Sequence, residues 1–263
     1  SSVGVSWRYG VANLHRRPLT TVWQVIALAL GLTAILTLTL IRSDLLTEWQ
    51  ANLPAEAPNR FLVNIQPDQV DEVKRLLSER IGASPAFYPM IRGRLMEING
   101  TAIDPAQYAE DRARRLVERE FNLSWTTTLP QHNRLIGGRW QADGEALSVE
   151  EGIARTLNIR LGDRLTYDVA GERFTAPVTS LRKVEWDSFR VNFFVIGTPS
   201  LMKDRPATFV TSFHLPPDAS DVMNEIVRAV PTMVVVDVAA LVSQVQTMIG
   251  QVSKAVTFIF VFT

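Results

Sequence analysis

The longest hydrophobic run in the chain, residues 22–41 (VWQVIALALGLTAILTLTLI), holds twenty positions without a charge. A helix of that length rises about 30 Å, the thickness of a bilayer core. The pattern predicts a transmembrane helix over 21–42. A buried core helix is the alternative, although soluble helices seldom run so far without a charge. Arg8, Arg16 and Arg17 precede the run, whereas Arg42 follows it among Asp44, Glu48 and Glu56. Basic residues favour the cytoplasmic side, so 1–20 is expected inside and the chain beyond Ile41 outside. Within 1–20, Val3, Trp7, Val11 and Leu14 share one helix face, as in an amphipathic segment lying on a membrane. Residues 255–263 (AVTFIFVFT) are apolar but too few to span. They are expected to begin a second transmembrane helix, truncated here, with a buried strand as the alternative.

Two further stripes adjoin these ends. Ile41, Leu45, Trp49 and Leu53 recur every four residues, and Val238, Leu241, Val245, Met248, Val252 and Val256 every three or four. Both are helical periods. They predict stalks over 43–60 and 238–254 that continue the membrane helices outward and pack on each other. Leu45, Trp49, Leu53, Leu241, Val245, Met248 and Val252 are the candidate residues for transmitting motion. Docking of both stripes on the intervening domain is the equal alternative.

Between the stalks the period changes. FLVNI at 61–65 reads as a strand, Val70, Val73, Leu76, Leu77 and Ile81 as a helix ended by Gly82, and 86–98 as a strand ending at the hairpin signal Asn99-Gly100. A second strand–helix–strand set falls at 208–215, 219–230 and 233–236, the helix bounded by Pro216-Pro217 and Pro231. Two β-α-β units, over 61–100 and 206–237, predict a split ferredoxin-like α+β lobe. The insertion, 101–205, reads as β-rich. Asp104 and Pro105 start a helix continuing through QYAEDRARRLVEREF, Ser148 and Glu151 fit a capping box, and Leu165 to Val169 and Phe174 to Val178 alternate about an Ala170-Gly171 turn.

Composition narrows the function classes. The 263 residues carry 27 basic and 27 acidic side chains, and this neutral balance argues against a nucleic-acid partner. The absence of cysteine excludes disulfides, thiolate metal sites and cysteine nucleophiles. His15, His132 and His214 are far apart and have no second ligand at helical spacing. Asp111, Glu118 and Glu120, interleaved with Arg112, Arg114, Arg115 and Arg119, read as a solvated, ion-paired helix. No nucleophile elbow and no phosphate-binding loop occur, so neither a catalytic residue nor an ATP or metal site is expected.

The ANLHRRPL segment before the first span, and LSVEEGIARTLNIRLGDRLTYDVAGERFTAPVTSLRKVEW within the external domain, together resemble FtsX-like and MacB-like permease subunits of ABC transporters. The stretch LPAEAPNRFLVNIQPDQV at 53–70 narrows the resemblance to large two-repeat permeases of the YbbP type. The resemblance implies a periplasmic core domain between two spans of a multi-pass inner-membrane protein. It implies a non-catalytic subunit, with ATP bound and hydrolysed by a dimeric cytoplasmic ABC ATPase. Stalk motion would move the external lobes, which would handle a lipophilic substrate or an extracytoplasmic partner protein. Leu161, Gly162 and Asp163 form the family's LGD element. Here Gly162 is expected to adopt a left-handed turn and Asp163 to accept a backbone N–H. A transmembrane sensor with an extracytoplasmic ligand-binding domain shares the two-span plan and is the alternative. A membrane-anchored hydrolase is the third reading.

Overall fold

The computed structural model describes residues 57–216 and 219–238, together with helical positions at 22–23, 25–26, 29–33, 36–37, 240–241, 243–244, 247–248, 250–252, 255 and 258. The chain divides into two compact units, Ser1–Pro54 with Ala240–Thr263, and Ala55–Ala239. In the first unit Trp23, Leu30 and Leu36 lie on helix and are 69%, 66% and 61% exposed, an apolar surface open to its surroundings. Among the described residues no helix is long and apolar enough to cross a membrane. The amphipathic segment at 1–20, the rest of the span expected over 21–42, the first stalk up to residue 56 and most of 255–263 lie outside the described residues.

The second unit is mixed α+β with a sheet-rich core. In chain order it runs β1 (Arg60–Ile65), α1 (Val70–Ile81), β2 (Phe87–Ile98), β3 (Thr101–Ala102), α2 (Asp111–Glu118), β4 (Phe121–Trp125), β5 (Asn133–Gly138) and β6 (Leu147–Glu150). It continues through α3 (Glu151–Thr156), β7 (Arg164–Val169), β8 (Glu172–Val184), β9 (Val195–Gly197), α4 (Pro199–Met202), β10 (Thr208–Phe213), α5 (Ser220–Ala229) and β11 (Val234–Asp237).

The two β-α-β sets interleave. Strands run in the order β11-β1-β10-β2, every neighbour antiparallel. Helix α1 buries Val70, Val73, Leu76 and Leu77 and stops at Gly82, whose left-handed φ of 64° lets its N–H reach the carbonyls of Leu77 and Ser78. Those side chains join Leu62, Ile65 and Phe213 of the strands and Met223 and Ile226 of α5 in one apolar cluster. An Arg80–Glu225 pair at 2.6 Å links the two helices. Phe61, Val63, Tyr88, Met90 and Val210 join Val191, Phe193 and Ile196 in a separate cluster, so the inserted segment adds a second apolar layer to these strands.

The insertion closes on itself. β2 pairs through Phe87–Met90 with β10, through Ile91–Gly93 with β4 and through Arg94–Ile98 with β7. β4 then pairs with β9, β9 with β6, β6 with β8, and β8 with β7, which returns to β2. The ring leaves each of these strands a neighbour on both sides over part of its length, which limits exposed edge hydrogen-bonding groups. Its period-two positions Leu165, Tyr167, Val169, Ala176 and Val178 fill the interior with Leu95, Phe121, Leu123 and Val195. β2 therefore serves both lobes, and the change from one to the other falls inside it rather than at residue 101.

Two local expectations shift. The helix expected from Asp104 onward breaks: Asp104 accepts the Ala106 N–H to cap only a 3-10 turn, Tyr108 is extended, and α2 starts afresh at Asp111. Phe121, expected at that helix's end, opens β4 and is 1% exposed, because burial in the ring outweighs continuing the helix. Ser148 lies in β6, and the cap of α3 is Glu150, which accepts the Ile153 N–H at 2.9 Å.

Candidate functional site: an arginine-rimmed groove

The three-residue spacing of Ala113 and Leu116, with Val117 beside them, buries one stripe of α2, each residue 8% exposed or less. Arg112, Arg115 and Arg119 follow at i, i+3 and i+7 and flank that buried stripe, all three exposed. They rim an open groove of about 530 Å³ whose other lining residues are Leu116, Glu118, Ile153 and Phe194. Ile153 is 3% exposed on α3, held there by the Glu150 cap, and Phe194 lies against the Trp186 ring with centroids 4.9 Å apart. The floor is thus apolar and the rim cationic, with one carboxylate.

The ion pairing expected along α2 is present at one place only, Asp111–Arg114 at 3.5 Å. Arg112, Arg115 and Arg119 make no ion pair and no side-chain hydrogen bond among the described residues. Arg112 and Arg115 are like charges three apart on α2, a spacing that weakens a helix slightly, and Arg119 follows its last residue in extended backbone. Sequence reasoning placed these arginines on a helix and missed the groove. Ile153 and Phe194 are 34 and 75 residues beyond Arg119, and no local pattern joins them.

A second cleft of about 430 Å³ is lined mostly by prolines and neutral polar residues, with Arg190 and Tyr88. His132 Nδ1 lies 3.2 Å from Glu185 Oε2, and His214 Nδ1 lies 3.0 Å from the Ala57 carbonyl oxygen; neither histidine lines either of these two grooves. Among the described residues no group of three His, Asp or Glu side chains is placed to hold a metal ion. The LGD element forms a turn: Gly162 has φ 88°, and Asp163 accepts the Arg160 N–H at 2.7 Å and the Asn99 amide at 2.8 Å. Asn99 in turn accepts the Arg164 N–H, which ties the β2–β3 hairpin to the start of β7. Of the transmission candidates, Leu241, Met248 and Val252 are on helix and 53%, 52% and 63% exposed. Leu45, Trp49, Leu53 and Val245 lie outside the described residues.

In sequence the chain is similar to an ABC transporter permease. It is 38% identical over 238 residues, 90% of its length, to an uncharacterized ABC transporter permease of Escherichia coli (strain K12), YbbP. The resemblance read from the residues is borne out to that extent. The chain spans about 29% of that relative's length. No family model matches it. A crystal structure of a domain of a candidate permease protein from Porphyromonas gingivalis covers 70% of this chain and 91% of its own at 12% identity, with a TM-score of 0.36. A likeness of that size carries no argument about fold or function.

Proposed function

We propose that this chain is an extracytoplasmic segment of a non-catalytic ABC transporter permease subunit of the FtsX-like and MacB-like kind, with its flanking membrane helices. The observation that carries this reading is the 38% identity over 90% of the chain to an ABC transporter permease. In this reading the helices over 21–42 and from 255 span the bacterial inner membrane, in contact with its lipid. The domain between them lies in the periplasm, and its interleaved β11-β1-β10-β2 order supports a split ferredoxin-like lobe. A cytoplasmic ATPase dimer binds and hydrolyses ATP. Leu45, Trp49, Leu53, Leu241, Val245, Met248 and Val252 carry its motion along the stalks to the external lobes. Grouping of Ser1–Pro54 with Ala240–Thr263 as one compact unit supports two stalks that act together. A continuous helix is a physical route for such motion, and coupling needs its own measurement.

Membranes containing the full-length protein with Met248→Cys and its ATPase partner provide that measurement. Addition of ATP is expected to change the rate of maleimide labelling at position 248, and a hydrolysis-deficient ATPase is expected to hold the changed rate. An unchanged rate with an ATPase shown to be active overturns the coupling.

A further inference from the structure

We propose that the groove between α2, α3 and Phe194 binds an anionic amphiphile, its oxyanion head against Arg112, Arg115 and Arg119 and its apolar body on Leu116, Ile153 and Phe194. As a cargo or sensing site it rests on the permease reading, while its chemistry stands on the groove alone. The volume of about 530 Å³ is that of a small-molecule site. The rim carries three arginines and one glutamate, an excess of two positive charges, with no ion pair to the arginines among the described residues. Guanidinium groups suit phosphate and carboxylate oxygens by their paired N–H donors. A purely apolar ligand would leave those cations unsatisfied, and a metal cation would meet three like charges and a single carboxylate. A long nucleic acid needs a track of positive charge, whereas this one is confined to one short helix and the residue that follows it. The apolar floor then selects an anion with a hydrocarbon body over a free inorganic anion.

The test uses the full chain in phosphatidylcholine nanodiscs, titrated calorimetrically with octyl phosphate and octanoate, with empty nanodiscs subtracted. Inorganic phosphate supplies the head alone and octyl glucoside the tail alone. Phenylglyoxal modification, read by mass spectrometry, reports which arginines are covered. Arginine-dependent binding of either octyl anion supports the proposal, and the tighter of the two identifies the head. The R115Q/R119Q double variant is expected to bind about tenfold more weakly. Glu118→Gln removes the one rim carboxylate and is expected to tighten binding roughly threefold. Arg160→Gln, an exposed arginine outside the groove, is expected to leave the affinity unchanged. Absence of binding, equal binding of octyl glucoside, or equal loss in R160Q and R115Q/R119Q overturns the site. Any of these failures leaves the permease reading intact, because that reading is tested by ATP-dependent labelling at Met248.

Discussion

Arg182 is 0% exposed, a guanidinium taken wholly out of water. Its Nη1 donates to Asn133 Oδ1 at 2.7 Å and its Nη2 donates to the Phe193 carbonyl, so a side chain of β8 ties β5 to the segment entering β9. Glu150 lies opposite it in register on β6 without forming an ion pair. Burial pushes the guanidinium down to about 9, and the Glu150 charge opposes that shift. A base whose folded pKa lies below its unfolded value binds fewer protons when folded. Its contribution to stability therefore rises with pH from about 9 upward. Denaturant titrations of the wild type and Arg182→Met across that window are expected to show the rise only in the wild type. Arg182→Ala is expected to cost about 3 kcal/mol, because it strands a buried carbonyl and an amide beside a cavity. Arg182→Met keeps the apolar stem and is expected to cost less. Gly162, at φ 88° with nothing near a built Cβ, poses only a backbone demand, and Gly162→Ala is expected to cost about 1 kcal/mol in the same assay. Turns such as Asn99-Gly100, Ala170-Gly171 and the LGD element were legible because their chemistry lies within a few residues. Arg182 was not, because its partners come from 49 and 11 residues away.

β2 and β8 are the long strands, of 12 and 13 residues, and each changes partner along its length. Gly93 sits at the point in β2 where pairing passes from β4 to β7. A Cβ there would meet Leu123 Cδ1 at 2.7 Å and Val169 Cγ2 at 3.2 Å, so the absence of a side chain lets three strands converge. Gly93→Val is expected to destabilise the domain by about 2 kcal/mol through overpacking. Because β2 also pairs with β10, amide exchange is expected to speed in both lobes together; acceleration confined to 91–98 would show that the lobes unfold separately. The strands and helices of the two β-α-β sets were readable from periods of 2 and 3.6, as was the β7–β8 hairpin. Ring closure was not, because a period tells which face is buried and says nothing of which strand lies beside it. The break at Tyr108 was hidden for a related reason. The local sequence reads as helix through Phe121, while the pull on Phe121 comes from a core assembled by distant strands.

At the scale of the molecule, a chain similar in sequence to an ABC transporter permease carries an arginine-rimmed groove on a closed-sheet lobe, with helical segments on either side of it in sequence. In the proposed topology, which rests on the hydropathy of 22–41 and the basic flank before it, the N-terminus and the domain lie on opposite sides of a membrane. The proposed stalks and the proposed ATPase coupling both require that arrangement. The chain has no cysteine, and with any cysteine elsewhere in the full-length protein replaced by serine, single cysteines report without background. The decisive measurement places Ser2→Cys or Ala142→Cys, the latter at an exposed position of the domain, in the full-length protein in spheroplasts treated with a membrane-impermeant maleimide. Labelling at 142 and protection at 2 until the membrane is opened is the expected result. Labelling at 2 with protection at 142 would put the domain in the cytoplasm and contradict the account.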